Sequence, residues 1–257
     1  MKPFRNSRRL SLTSSYGHPV FLRLGKMSRV RVFDRYAFLM ASTLEEGNNI
    51  ARDFDDSACE FCDRYKSSGL SKSSAILLNF ILEAGIQNRS ILDLGCGAGG
   101  FSIEALKRGG ESSVGIDLSP EMIKAANGLA VESGLGDRAK FQEGNAATSS
   151  LLPSDVVVLD KVMCCYSDVR PLLGNAALAS RGLLGFVVPR DDGLMKWPLR
   201  VGVRIVNFFE RRRRGIQFYL HPLDEIDRSL RDAGFARQRK RGSRFWLVLL
   251  YKRATRD

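Results

Sequence analysis

The chain has 257 residues, 44% of them apolar and 26% charged, which suits one α/β domain with a core large enough to need no staples. No stretch approaches the roughly eighteen uncharged apolar residues of a membrane span. The five cysteines are an odd number with no secretory signal ahead of them, which argues against a disulfide framework and for a reducing, cytoplasmic setting. The 40 Lys and Arg against 28 Asp and Glu give a formal charge of +12, which points either to polyanions, anionic membrane or acidic substrates, or to a plain solvated basic surface.

Residues 1–50 read as an N-terminal extension outside the fold, and 51–257 as the domain. The extension carries Lys2, Arg5, Arg8, Arg9, Arg23, Lys26, Arg29 and Arg31, many serines and no acid before Asp34. That composition matches an organelle transit peptide, a misassigned start or a basic tail. Within the domain, the apolar spacing of SSAILLNFILE predicts a helix over Ser73–Glu83. Ser90–Leu94 reads as a buried strand, and Phe101–Arg108 as a helix stopped by Gly109 and Gly110. Val114–Asp117 is the next strand. Ser119-Pro120-Glu121 then opens a helix with a capping hydroxyl, a proline in the first turn and an acid. DVVVLD (Asp155–Asp160) and LLGFVVP (Leu183–Pro189) are further buried strands. Pro222–Ala233 is a helix closed by Gly234, and FWLVLLY (Phe245–Tyr251) is a last strand. Strands alternating with helices predict a doubly wound, mostly parallel sheet.

The run ILDLGCGAGG, Ile91 to Gly100, joins an apolar strand to a helix through a glycine turn. Gly95, Gly97 and Gly100 also satisfy G-x-G-x-x-G, so a dinucleotide-binding oxidoreductase competes for the motif. Asp93 discriminates, because a pyrophosphate gains nothing from a carboxylate two residues before the first glycine. A cofactor carrying an ammonium and a sulfonium, and no phosphate, tolerates or wants one.

In these residues the chain resembles class I S-adenosylmethionine-dependent methyltransferases, whose first motif is a strand, an acid and a G-x-G-x-G turn. The resemblance runs from about Tyr65 to Tyr251. It implies a Rossmann-like sheet of about seven strands and a helical lid insertion near 191–217. It also implies S-adenosylmethionine as cofactor, held by Tyr65, Asp93, Gly95, Cys96, Gly97, Gly99, Asp117, Leu118, Met122, Asn145, Ala146 and Asp160. In that likeness Asp117 takes both ribose hydroxyls, Met122 packs on the adenine, and Asn145 stands where an acid commonly meets the adenine amino group. Asp160 follows the fourth strand.

Beyond that strand, Lys161-Val-Met-Cys-Cys-Tyr166 and Phe218-Tyr-Leu-His-Pro222 resemble the magnesium-protoporphyrin O-methyltransferase group, with Cys165 in place of that group's histidine. Tyr166, Cys165 and His221 are the catalytic candidates. His221 is the only histidine outside the N-terminal extension, since His18 lies within it, and a hydroxyl acceptor would need a base. A capping or locally bonded His221 is the competing reading. Cys59-x-x-Cys62 and Cys164-Cys165 invite comparison with a four-thiolate metal site or a redox pair, but plain buried cysteine is the more ordinary reading and no metal is assigned. Met195–Arg214 (MKWPLRVGVRIVNFFERRRR) mixes aromatic and basic residues as a lid or an interfacial helix on anionic membrane would. Arg237, Arg239 and Arg241 alternate, so they are expected on one face of an exposed strand.

The expected activity is methyl transfer to a small-molecule acceptor, on oxygen of a hydrophobic or carboxylated compound. RNA or protein methylation and non-catalytic cofactor binding are the alternatives. Nucleic acid is disfavoured as a partner, since no RNA-binding module and no N-P-P-Y-like motif is present.

Overall fold

In the computed structural model the described residues are 47–213 and 217–254. The expected N-terminal extension up to residue 46 lies outside them, as does Arg214. Residues 47–55 are helical (α1), followed by α2 (Ala58–Ser68) and α3 (Lys72–Glu83). The alternating part then runs β1 (Ser90–Leu94), α4 (Gly100–Lys107), β2 (Ser112–Asp117), α5 (Pro120–Glu132) and β3 (Ala139–Glu143). It continues through β4 (Ser154–Asp160), α6 (Arg170–Ala179), β5 (Ser180–Pro189), α7 (Lys196–Arg213), α8 (Leu223–Asp232), β6 (Phe235–Gly242) and β7 (Trp246–Arg253).

The seven strands form one sheet in the order β3-β2-β1-β4-β5-β7-β6. The first five are parallel, and β7 inserts antiparallel between β5 and β6. The strand order reverses at β1/β4, and in open sheets of this kind ligands bind beyond the carboxyl ends of the strands at that switch point.

Period-two burial sorts the side chains into two layers. Val157 and Leu159 of β4, Phe186 of β5 and Leu249 and Tyr251 of β7 pack with Leu172 and Leu173 of α6 and Ile226 and Leu230 of α8. Their neighbours Val156, Val158, Val187, Val248 and Leu250 pack on the other face with Leu77, Leu78 and Ile81 of α3. Strands buried on both faces in this way need near-continuous apolar runs, which is why DVVVLD and FWLVLLY stand out in the sequence. Ser119 caps α5 as its motif predicts, accepting from the Met122 N–H at 3.0 Å.

One expectation fails at the sheet edge. A bulge shifts the β6/β7 register between Arg237 and Arg239, so Arg237 does not share a face with Arg239 and Arg241. Arg237 reaches Asp227 of α8 at 2.5 Å, whereas Arg239 reaches Glu83 at the end of α3, on the opposite side of the sheet, at 3.0 Å. Seven of the eight β6 residues are exposed, and this charged, bulged edge is poorly suited to pairing with another strand.

Candidate active site

The carboxyl ends of β1, β2 and β4 open into a cavity of about 430 Å³, within the size range of small-molecule sites. The glycine turn shapes its floor. The N–H groups of Gly95 and Cys96 both donate to the Ile116 carbonyl, at 2.7 and 3.1 Å, which folds the turn against β2. Gly95 has φ +70°, and a Cβ there would lie 2.4 Å from a methyl of Val162, so only glycine fits both the backbone and the space. Cys96 is buried against α4 and α5, where loss of hydration pushes its thiol well above the ordinary value.

Asp117 ends β2 and lines the cavity. One of its oxygens accepts from the Gly97 N–H at 2.8 Å and the other from the Ser119 N–H at 3.0 Å. Two backbone donors thus orient the carboxylate, and each oxygen keeps a lone pair for a ligand hydroxyl. Leu118 and Met122 supply apolar wall beside it.

Asp93 is 1% exposed and accepts from the Ser102 hydroxyl at 2.8 Å, which in turn accepts from the Ser113 hydroxyl at 2.9 Å. Burial, reinforced by the charges of Asp160 and Asp117, pushes its carboxyl up to about 7 against the lowering effect of Ser102. A buried acid held near neutrality on a cavity wall gains from an incoming cation. Three acids, Asp93, Asp117 and Asp160, therefore fit a cationic, hydroxylated cofactor such as S-adenosylmethionine and oppose a pyrophosphate.

Residues ahead of the sheet close the site. Asp55 of α1 accepts from the Ser119 hydroxyl at 2.5 Å and fixes α1 over the start of α5. Tyr65 of α2 lines the cavity, lies against Gly100, and donates its hydroxyl to Glu104 at 2.8 Å. Tyr166, Cys165 and Ala146 also line it.

Three sequence candidates are placed elsewhere. His221 is absent from the cavity wall: its Nε2 sits 3.0 Å from both the Met163 and the Tyr166 carbonyl oxygens. With the Tyr219 N–H on the Cys164 carbonyl at 2.8 Å, it ties the segment before α8 to the turn Met163–Cys165. A ring nitrogen turned to two carbonyls is a tether rather than a base. Asn145 is also absent from the cavity wall, its Oδ1 accepting from the Ala147 N–H at 2.9 Å and the Tyr166 hydroxyl at 3.2 Å. It closes its own turn and orients Tyr166 instead of reaching an adenine. Gly99, with φ +80°, does not line the cavity; a Cβ there would strike Phe141 and Ala126, so its role is close packing of α4 and α5.

Among the described residues no group of three or more His, Cys, Asp or Glu is arranged to hold a metal. Cys59 is exposed while Cys164 and Cys165 are buried, so the four-thiolate arrangement does not form.

Lys161 is the residue that sequence reading passed over. It sits at φ +66° after β4, a conformation uncommon for a side-chain-bearing residue. Its Nζ lies 2.9 Å from Asp160, 2.7 Å from Ser74 Oγ and 3.0 Å from Ser71 Oγ, and 5.8 Å from the Trp246 ring centroid. All three ammonium protons are engaged, and both Lys161 and Trp246 line the cavity.

The strand order, the glycine turn and the acid ending each of β2 and β4 define the class I methyltransferase architecture. Residues 87–187 match the family model of a methyltransferase domain, and this part of the chain has the fold and motif arrangement of class I, S-adenosylmethionine-dependent methyltransferases. It is similar to the ribosomal protein L11 methyltransferase of Haemophilus influenzae, 30% identical over 122 residues, 46% of this chain and 41% of that protein. The protein of the same name from Pectobacterium carotovorum is 28% identical over 129 residues, 49% of this chain and 43% of that one. The chain thus spans about two fifths of the length of these curated relatives.

Among solved structures, magnesium protoporphyrin IX methyltransferase from Synechocystis PCC 6803 with bound SAM superposes with a TM-score of 0.61 at 17% identity, covering 81% of this chain and 97% of that one. An O-methyltransferase family protein from Burkholderia thailandensis gives 0.61 at 22% identity, covering 78% and 60%. At these identities the likeness is one of fold.

Proposed function

We propose that the domain transfers the methyl group of S-adenosylmethionine to an oxygen of a small, hydrophobic, carboxylated acceptor. The observation that carries this reading is the Lys161 ammonium over the Trp246 ring on the wall of a cavity otherwise rich in apolar side chains. Sheet order separates two ends of the site: Asp117 lies on β2, while Lys161 follows β4 and Trp246 begins β7, two strands beyond β4. The β2 end suits the cofactor's hydroxylated part, leaving the β4/β7 end for the acceptor.

When bound, the cofactor supplies an electrophilic methyl on a sulfonium. The chain's work is alignment and water exclusion, which are what an in-line displacement chiefly needs. Lys161, giving up its hydrogen bond to the Ser71 hydroxyl, would take an acceptor carboxylate in exchange and hold one of its oxygens toward the methyl that a cofactor bound beside Asp117 would supply. A carboxylate needs no base for this, which fits the tethered position of His221.

A protein acceptor is the second reading, favoured by the names of the curated relatives. Release of S-adenosylhomocysteine, measured in parallel on lipophilic carboxylates, lipophilic phenols and ribosomal protein L11, tests the choice. Turnover on the carboxylates supports the proposal; turnover on L11 alone replaces it with protein methylation.

A further inference from the structure

α7 turns its apolar side outward. Trp197, Val201, Ile205 and Phe208 recur at i, i+4, i+8 and i+11, one row on a helix. They are exposed by 70%, 52%, 55% and 54%, and Leu194 in the preceding turn by 97%. A row of large apolar side chains in water is costly unless something covers it. The opposite side holds the helix to the domain. Arg200 forks onto the buried Asp191 at 2.8 and 3.0 Å. Asn207 exchanges two hydrogen bonds, at 2.7 and 2.8 Å, with the backbone of Phe218, a cavity-lining residue.

Charge indicates what covers the row. α7 contains six Lys and Arg against one acid, Glu210. Arg204 and Arg211, both exposed, lie seven and fourteen residues after Trp197 and so border the apolar row. A second copy of this helix would bring like charges together, and a neutral surface would leave them unanswered. An anionic bilayer answers both features, with aromatic and branched side chains at the headgroup boundary and arginines against phosphates.

We propose that α7 is an interfacial helix that docks the domain on an anionic lipid surface, next to the cavity wall formed by Phe218. The docking does not depend on the acceptor reading, because lipid binding is measured without an acceptor.

The test is co-sedimentation of the full chain with phosphatidylcholine vesicles, with and without phosphatidylglycerol. Binding only to the anionic vesicles is expected, weakening roughly tenfold as salt rises several-fold. Vesicles should also blue-shift tryptophan emission in the wild type, and much less in Trp197→Phe. The double variant Val201→Glu/Ile205→Glu should lose vesicle binding while keeping wild-type affinity for S-adenosylmethionine, which shows that it is folded. Three results would overturn the proposal: no vesicle binding, equal binding to neutral vesicles, or binding that survives the double variant and therefore comes from other basic residues. So would a wild-type dimer that the double variant dissociates, since a second copy would then cover the row.

Discussion

The two halves of the sheet differ in how they hold their ligand-facing side chains. In the β1–β2 half each polar group facing the cavity is fixed by backbone or by a buried hydroxyl: Asp117 by two N–H groups, and Asp93 by the Ser102–Ser113 chain. In the β4–β7 half the fixing is done by long side chains from distant segments, as when Lys161 reaches Ser71 and Ser74. Beyond it, α7 leaves an apolar row in water. A site for an invariant cofactor can be written into one turn and two strand ends, whereas an acceptor site assembled from separate segments is free to vary.

Substitutions that break the rigid half should have the largest effects. Gly95→Ala must displace Val162 and hold a strained φ, so cofactor affinity should fall at least a hundredfold by calorimetry. Gly97→Ala, whose Cβ would meet only the Met122 sulfur at 4.0 Å, should cost on the order of 1 kcal/mol of backbone strain and bind several-fold more weakly. Equal effects at the two positions would contradict the packing account.

Asp93 separates stability from function. The unfolded chain ionises this carboxyl near 3.8, while the folded chain keeps the proton until about 7. The ionised acid therefore penalises the fold progressively above pH 3.8 and fully above about 7. Asp93→Asn should raise the stability of the ligand-free protein at pH 8 by on the order of 3 kcal/mol while weakening S-adenosylmethionine binding. Wild-type affinity for that cation should fall as pH drops below about 7, and the variant's should not follow it. A variant that is less stable at pH 8 and binds normally would remove Asp93 from the site.

In the other half the effects should be smaller and more selective. Lys161→Met should lower kcat/KM for a carboxylated acceptor roughly tenfold, the loss of one charged contact, with little change in cofactor affinity. An equal loss with a neutral acceptor would make Lys161 a structural tie. His221→Ala should cost about 1 kcal/mol of stability for its lost backbone hydrogen bonds and change turnover less than threefold. A hundredfold loss in a folded variant would restore the general-base reading.

The same contrast explains what the sequence discloses. β1, β4, β5 and β7 are legible because burial on both faces demands apolar runs, and α5 because Ser119-Pro120-Glu121 is a local signal. β3 is not, since only Ala139 and Phe141 of its five residues are buried, too few for a pattern. Asp93, Asp117 and the glycine turn are legible because their constraints are local. Lys161 is not, because a lysine after a strand reads as solvated until α3 brings two serines beside it. Asn145 and His221 mislead for the related reason that a residue type states what it can bond, not which partner the fold supplies. The alternating arginines of β6 mislead because the bulge that breaks their alternation leaves no mark in the sequence.

The central claim, a cationic and phosphate-free cofactor held between Asp93 and Asp117, is tested most directly by calorimetric titration of the full chain with S-adenosylmethionine and separately with NADH, alongside Asp117→Ala. Binding of the first alone is expected, reduced at least a hundredfold in the variant. Binding of NADH alone, or S-adenosylmethionine binding untouched by Asp117→Ala in a folded protein, would contradict it.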